Sequence, residues 1–96
     1  MTTEGRTTRT ERVTEALTVR FNPVHLAVID ESHRHEGHSG WREGGETHYR
    51  IDIVSDAFEG KSRVERHRLV NDSLAGEFSD GLHALVLNIR APSETR

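Results

Sequence analysis

The chain has 96 residues, seven histidines and no cysteine, with a formal net charge of −3. That length suits one domain and not two, and the missing thiol excludes a cysteine nucleophile, disulfide exchange and any iron–sulfur or cysteine-rich zinc site held by this chain alone. No apolar run approaches the ~20 residues that cross a bilayer, Met1 to Arg12 lacks the apolar core of a secretory signal, and a cysteine-free small domain fits a reduced, cytoplasmic setting away from membranes.

In chain order, residues 1–8 read as a disordered polar tail. Thr8-x-x-Glu11 has the form of a capping box, and Val13, Ala16, Leu17 and Phe21 follow at helical spacing, so a helix is expected over about 9–21, stopped by Pro23 acting on Asn22. His25 to Glu31 carries the run Leu26-Ala27-Val28-Ile29 and is a candidate strand. Residues 32–46 hold four glycines and no hydrophobic period, which predicts a long loop. Thr47 to Val54 alternates, with Tyr49, Ile51 and Ile53 on one face and His48, Arg50 and Asp52 on the other, as in a half-buried strand.

After a connector broken at Gly60, Ser62-x-x-Glu65 is a second capping box. Val64, Val70, Leu74 and Phe78 then mark one face of a helix expected over about 62–78, closed by Asp80-Gly81. His83 to Arg90 is the last strand, with Leu85, Leu87 and Ile89 on one face, and residues 92–96 form a polar tail. The order α-β-β-α-β predicts an α/β (α+β) domain over 9–91. Its three-stranded mixed sheet carries the helices on one face, the first two strands antiparallel and the last two parallel across the helical connection.

The candidate chemistry lies in two clusters. His33, His35 and His38 fall within six residues of the loop, and neutral imidazoles so crowded can bind metal, although a solvated polar loop explains them as well. His83 shares the parity of Leu85 and Leu87, which suggests a partly buried, hydrogen-bonded structural histidine. His67 reads as packing, and His48 and His25 have no evident role. The second cluster is Lys61, Arg63, Arg66 and Arg68 at the start of the second helix. Cations there oppose the helix dipole, which hints at phosphate binding, while a solvated charged face is the plainer explanation. No hydrolase elbow, phosphate loop or dinucleotide fingerprint is present, so an enzyme is not expected.

The motifs Pro23-Val24-His25-Leu26, Asp30-Glu31-Ser32, Glu46-Thr47-His48-Tyr49, Val54-Ser55-Asp56-Ala57-Phe58-Glu59-Gly60, Arg66-His67-Arg68 and Gly81-Leu82-His83-Ala84-Leu85, taken in order, resemble the BolA proteins over about residues 10–92. The resemblance is to the bacterial, histidine-type members. It implies a fold similar to class II KH domains and a non-enzymatic protein, a monomer when alone. Such a protein pairs with a monothiol, CGFS-type glutaredoxin and shares a [2Fe–2S] cluster with it, with glutathione supplied on the partner side, in iron homeostasis and cluster trafficking. It also implies an alternative role as a DNA-binding transcriptional regulator linked to cell shape and stress, for which Lys61, Arg63, Arg66 and Arg68 are the candidates. The family's C-terminal histidine ligand falls on His83, and its loop ligand on His35 or, alternatively, His38. Gly37-His38-Ser39-Gly40 has the form of a KH clamp but stands between strands, so it is not expected to hold nucleic acid.

Overall fold

The computed structural model describes residues 8–32 and 47–95. Helix α1 (Arg9–Phe21) starts where the capping box places it. Thr8 Oγ1 accepts from the Glu11 N–H at 3.1 Å, and the Glu11 carboxylate accepts from the Thr8 N–H at 3.0 Å. It ends at Asn22, whose left-handed φ of 44° closes the cap ahead of Pro23. Strand β1 (His25–Asp30) pairs antiparallel with β2 (His48–Val54), Leu26 opposite Ile53 and Val28 opposite Ile51. A single 3-10 turn at Asp56–Phe58 then leads to α2 (Arg63–Ser73), the short α3 (Ala75–Ser79) and β3 (Ala84–Arg90). Strand β3 runs parallel to β2, so the sheet order is β1-β2-β3 and β3 is an edge.

One face of the sheet carries the core. Val13, Leu17 and Phe21 of α1 and Val70 and Leu74 near the end of α2 pack on Ile51, Ile53 and Phe58, with Leu85, Leu87 and Ile89 half-buried beside them. Each fully buried aliphatic or aromatic side chain of this kind stabilises the fold by roughly 1.5–3 kcal/mol. A salt-bridged network joins the first helix to the third. Arg9, only 2% exposed, donates through Nε to Glu77 (2.9 Å), and through one terminal nitrogen to the Asp80 carbonyl (2.7 Å) and carboxylate (3.0 Å). Arg12 donates twice more to Glu77, at 2.8 and 2.9 Å. These donors hold the Glu77 carboxyl below its ordinary range, Arg12 contributing most.

The architecture is the one expected, with two departures. The second helix is not continuous: it breaks at Leu74, whose φ of −112° and ψ of 14° end α2 and begin α3. The break turns Glu77 towards α1. Val64 (58%) and Phe78 (40%) are exposed, so the buried stripe is Val70 and Leu74, with Leu69 half-buried, and not the full Val64–Phe78 face. The polar C-terminal stretch is the other departure. Pro92–Thr95 forms a 3-10 turn tied down by Glu94, which accepts from the Ala91 N–H and from Arg66. Among the described residues no helix is long and apolar enough to cross a membrane.

Candidate functional site

The two ends of the long loop meet at a buried seam. Ser32 Oγ accepts the N–H of Thr47 (2.8 Å) and of His48 (3.1 Å), and Thr47 Oγ1 donates to it at 3.3 Å. Ser32 and Thr47 are both fully buried, so these bonds replace ones that water cannot supply. Ser32 is itself positioned by Asp30, whose Oδ1 accepts the Ser32 N–H at 2.9 Å. The expected ligands His35 and His38, and their neighbour His33, lie outside the described residues.

Thr47 reaches the second half of the site as well. Its carbonyl accepts two successive N–H groups, from His83 (2.8 Å) and Ala84 (3.1 Å). With two neighbouring residues addressing one acceptor, the alternation of β3 is not carried back to His83. The parity that grouped His83 with Leu85 and Leu87 therefore fails. The His83 ring is exposed and stands against the His48 ring, with centroids 5.1 Å apart and planes at 49°. Behind it Leu82 is buried and its N–H is bonded to the Glu77 carbonyl at 2.9 Å, so the backbone carrying His83 is anchored on both sides.

His48 is the residue that sequence reading missed. It lies on the face of β2 away from the helices, as the alternation predicts, yet it is only 6% exposed, and its Nδ1 is 2.9 Å from Thr47 Oγ1. That contact engages one of the two ring nitrogens. The signal was present in the expected topology: parallel strands starting at about 48 and 83 bring their first residues side by side, and His48 pairs with Ala84.

Chemically, the pair offers two borderline nitrogen ligands of the type that suits iron, zinc or copper. Two imidazoles on one ion, with nitrogens ~2 Å from it, have ring centroids roughly 5 Å apart, which matches the observed spacing. Among the described residues no group of three or more histidine, cysteine, aspartate or glutamate side chains converges on a metal position. The donor set thus fits a centre whose remaining ligands come from elsewhere, and a chain without cysteine needs those to be thiolates if the centre is an iron–sulfur cluster.

The basic cluster is split by the fold. Lys61, Arg63 and Arg68 are exposed. Arg66 is half-buried and committed: it donates to the carbonyls of Lys61 (2.9 Å) and Ile89 (3.3 Å) and makes a two-pronged ion pair with Glu94 at 2.7 and 2.8 Å. The Arg66 bonds, with help from the Ala91 N–H, push the Glu94 carboxyl down to about 2. His67 is not a core histidine. It is half-buried, and its Nδ1 meets the Arg63 carbonyl at 2.9 Å.

Comparison with known proteins gives one answer. The sequence profile of the family described as BolA-like protein matches residues 17–94. The chain is 42% identical over 78 residues to the DNA-binding transcriptional regulator BolA of Escherichia coli K12, covering 81% of this chain and 70% of that one. It is 44% identical over 89 residues to protein BOLA1, chloroplastic, of Arabidopsis thaliana, covering 91% of this chain but only 56% of that protein. The solved BolA domain of SufE1 from Arabidopsis thaliana superposes with a TM-score of 0.84 at 46% identity, over 93% of this chain and 98% of that one.

Proposed function

Because the chain belongs to the BolA-like family, we propose that it is a non-enzymatic partner protein that completes a [2Fe–2S] cluster held by a monothiol glutaredoxin, in iron homeostasis and cluster trafficking. The observation that supports this reading most is the contact between the His48 and His83 rings on the open face of the sheet. In the proposed complex His83 is the pre-set ligand, because packing fixes its backbone before any metal arrives and little entropy is lost on binding. His48, or His35 or His38 of the loop, is the second. Thr47 Oγ1 orients the His48 ring and favours one tautomer, the supporting role that outer groups play at metal sites. Imidazole in place of thiolate raises the potential of such a cluster. Since imidazole ligates only when neutral, these residues release the centre as pH falls.

Co-expression with a monothiol glutaredoxin tests the proposal. A coloured heterodimer is expected, with visible absorption and circular dichroism distinct from the glutaredoxin alone. His83→Ala should abolish that mixed signature. If a loop histidine is the second ligand, His35→Ala should weaken or shift it and His35→Ala with His38→Ala together should remove it; if His48 is, His48→Ala should remove it and the loop variants should leave it. A His83→Ala protein with the full native spectrum would refute the assignment.

A second reading, DNA binding, is carried by the exposed Lys61, Arg63 and Arg68 and by the name of the Escherichia coli relative. Arg66 is already spent on Glu94 and contributes little to it. Phosphate contacts make affinity fall steeply with salt, whereas cluster sharing through imidazole does not. Absence of salt-sensitive retention on duplex DNA would dismiss this reading and leave the first untouched.

A further inference from the structure

A cavity of about 500 Å³ lies between the first turns of α2 and the outer edge of β3, on a different part of the molecule from the two histidine rings. Its cationic wall is Lys61, Arg63 and Arg66, with His67 beside them; Leu87 and Ile89 supply an apolar floor. The one carboxylate on its lining is Glu94, and both of its oxygens are bound by Arg66. The pair is neutral overall, and Arg66 is further fixed by the Lys61 and Ile89 carbonyls. It is wall, not ligand-binding group. Lys61 and Arg63 remain: their side chains have no hydrogen bond or ion pair among the described residues. Two cations without an ion-pair partner at the positive end of a helix repel each other and oppose its dipole, an opposition that the Glu65 carboxylate near Lys61 offsets only in part. An anion seated between them removes both penalties.

We propose that this cavity binds a small phosphate ester. A phosphomonoester carries about −1.5 to −2 charge at neutral pH, which matches the two unpaired cations better than a carboxylate does. Lys61 supplies a mobile point charge, and the planar guanidinium of Arg63 supplies paired donors for two phosphate oxygens. The organic part of the ester covers Leu87 and Ile89, and the volume lies within the usual range for small-molecule sites, about 300–1,000 Å³. The inference shares Lys61 and Arg63 with the DNA-binding reading and is set apart from it by the cavity. The same phosphate chemistry is carried by free esters and by nucleic-acid backbones, so the test separates them.

The test is a two-dimensional ¹⁵N–¹H titration of the whole chain at low ionic strength with inorganic phosphate, adenosine monophosphate and a short DNA duplex. Saturable one-to-one shifts are expected at Lys61, Arg63 and His67 with phosphate, and tighter binding is expected with the nucleotide. Combining Lys61→Ala with Arg63→Ala should weaken both at least tenfold; because the two residues are exposed, the dispersed spectrum should persist. Arg63→Lys should recover part of the loss. Absence of saturable shifts, or affinity unchanged in the double variant, would overturn the proposal. So would binding to duplex alone with a salt slope equivalent to several phosphates, which would place the cations on an extended nucleic-acid surface instead.

Discussion

Replacing Glu77 by glutamine is the sharpest available probe of what locks the helical layer. Three N–H donors converge on its two oxygens: Arg9 Nε at 2.9 Å, Arg12 Nε at 2.8 Å and an Arg12 terminal nitrogen at 2.9 Å. Glutamine has nearly the same shape but presents one oxygen and one NH₂, so at least one arginine N–H faces another donor. Hydrogen bonds to charged groups contribute about 1.5–3 kcal/mol each, and an ion pair broken from one side leaves its partner charge stranded. Arg9 is 2% exposed and cannot turn to water, though it keeps Asp80; Arg12 is 38% exposed and can. The expected loss for Glu77→Gln is therefore about 3 kcal/mol. For a domain of this size that lowers Tm by roughly 12–24 °C.

Urea unfolding at neutral pH measures the loss directly, with an unchanged m-value showing that only stability has moved. The carboxyl is depressed in the folded state from an ordinary value of 4.5. Its contribution is thus complete above the unfolded pKa and is lost as pH falls through the folded one. The gap between wild type and variant should then close in acid. A difference below about 1 kcal/mol at pH 7, or one that persists undiminished at pH 2, would show that the arginines are satisfied without Glu77.

Ser32→Ala removes the acceptor for two buried N–H groups and should cost roughly 2–4 kcal/mol; denaturant unfolding checks it, and amide exchange at Thr47 and His48 should accelerate most. Thr47→Val keeps the volume but deletes the oxygen against His48 Nδ1. A changed His48 tautomer ratio in ring ¹⁵N spectra is expected, with the fold retained. The C-terminal turn should be acid-labile. Glu94 is held at about 2, down from 4.5, so the turn's ion pair with Arg66 is intact above about 4.5 and melts as pH approaches 2, visible in the amide shifts of Ser93 and Glu94. Glu94→Gln should free the turn at neutral pH.

Much of the fold was readable because local signals agreed. Thr8 with Glu11 fixed the start of α1, Pro23 its end, and the Tyr49-Ile51-Ile53 alternation named the buried face of β2 without ambiguity. The break at Leu74 was not readable, because Leu74 itself continues the apolar spacing while Glu77, aimed at arginines of α1 some 65 residues earlier in the chain, rewards a turn that no local pattern records. The site was half legible. His83 stood out by motif, but its orientation depends on two N–H groups sharing the Thr47 carbonyl, a tertiary detail that resets parity. His48 looked inert because a polar residue on a polar face is expected to be solvated, and its burial follows only from contacts made across the sheet. Arg66 looked like a free cation for the same reason: its carboxylate partner is 28 residues away.

The Arg66 anchorage has a consequence for how the molecule behaves in a crowd. Along β3 the carbonyl of Arg90 points inward, accepting the Ser55 N–H at 3.1 Å, so by alternation that of Ile89 points out from the free edge. An outward acceptor on an edge strand is what a second chain needs to add itself in register, the first step of aggregation. Arg66 occupies that acceptor, the turn at 92–95 is fastened beside it, and Arg90 puts a charge on the same strand. One guanidinium thus blocks one end of that edge, and conditions that release it, strong acid above all, should open that end to pairing with another chain.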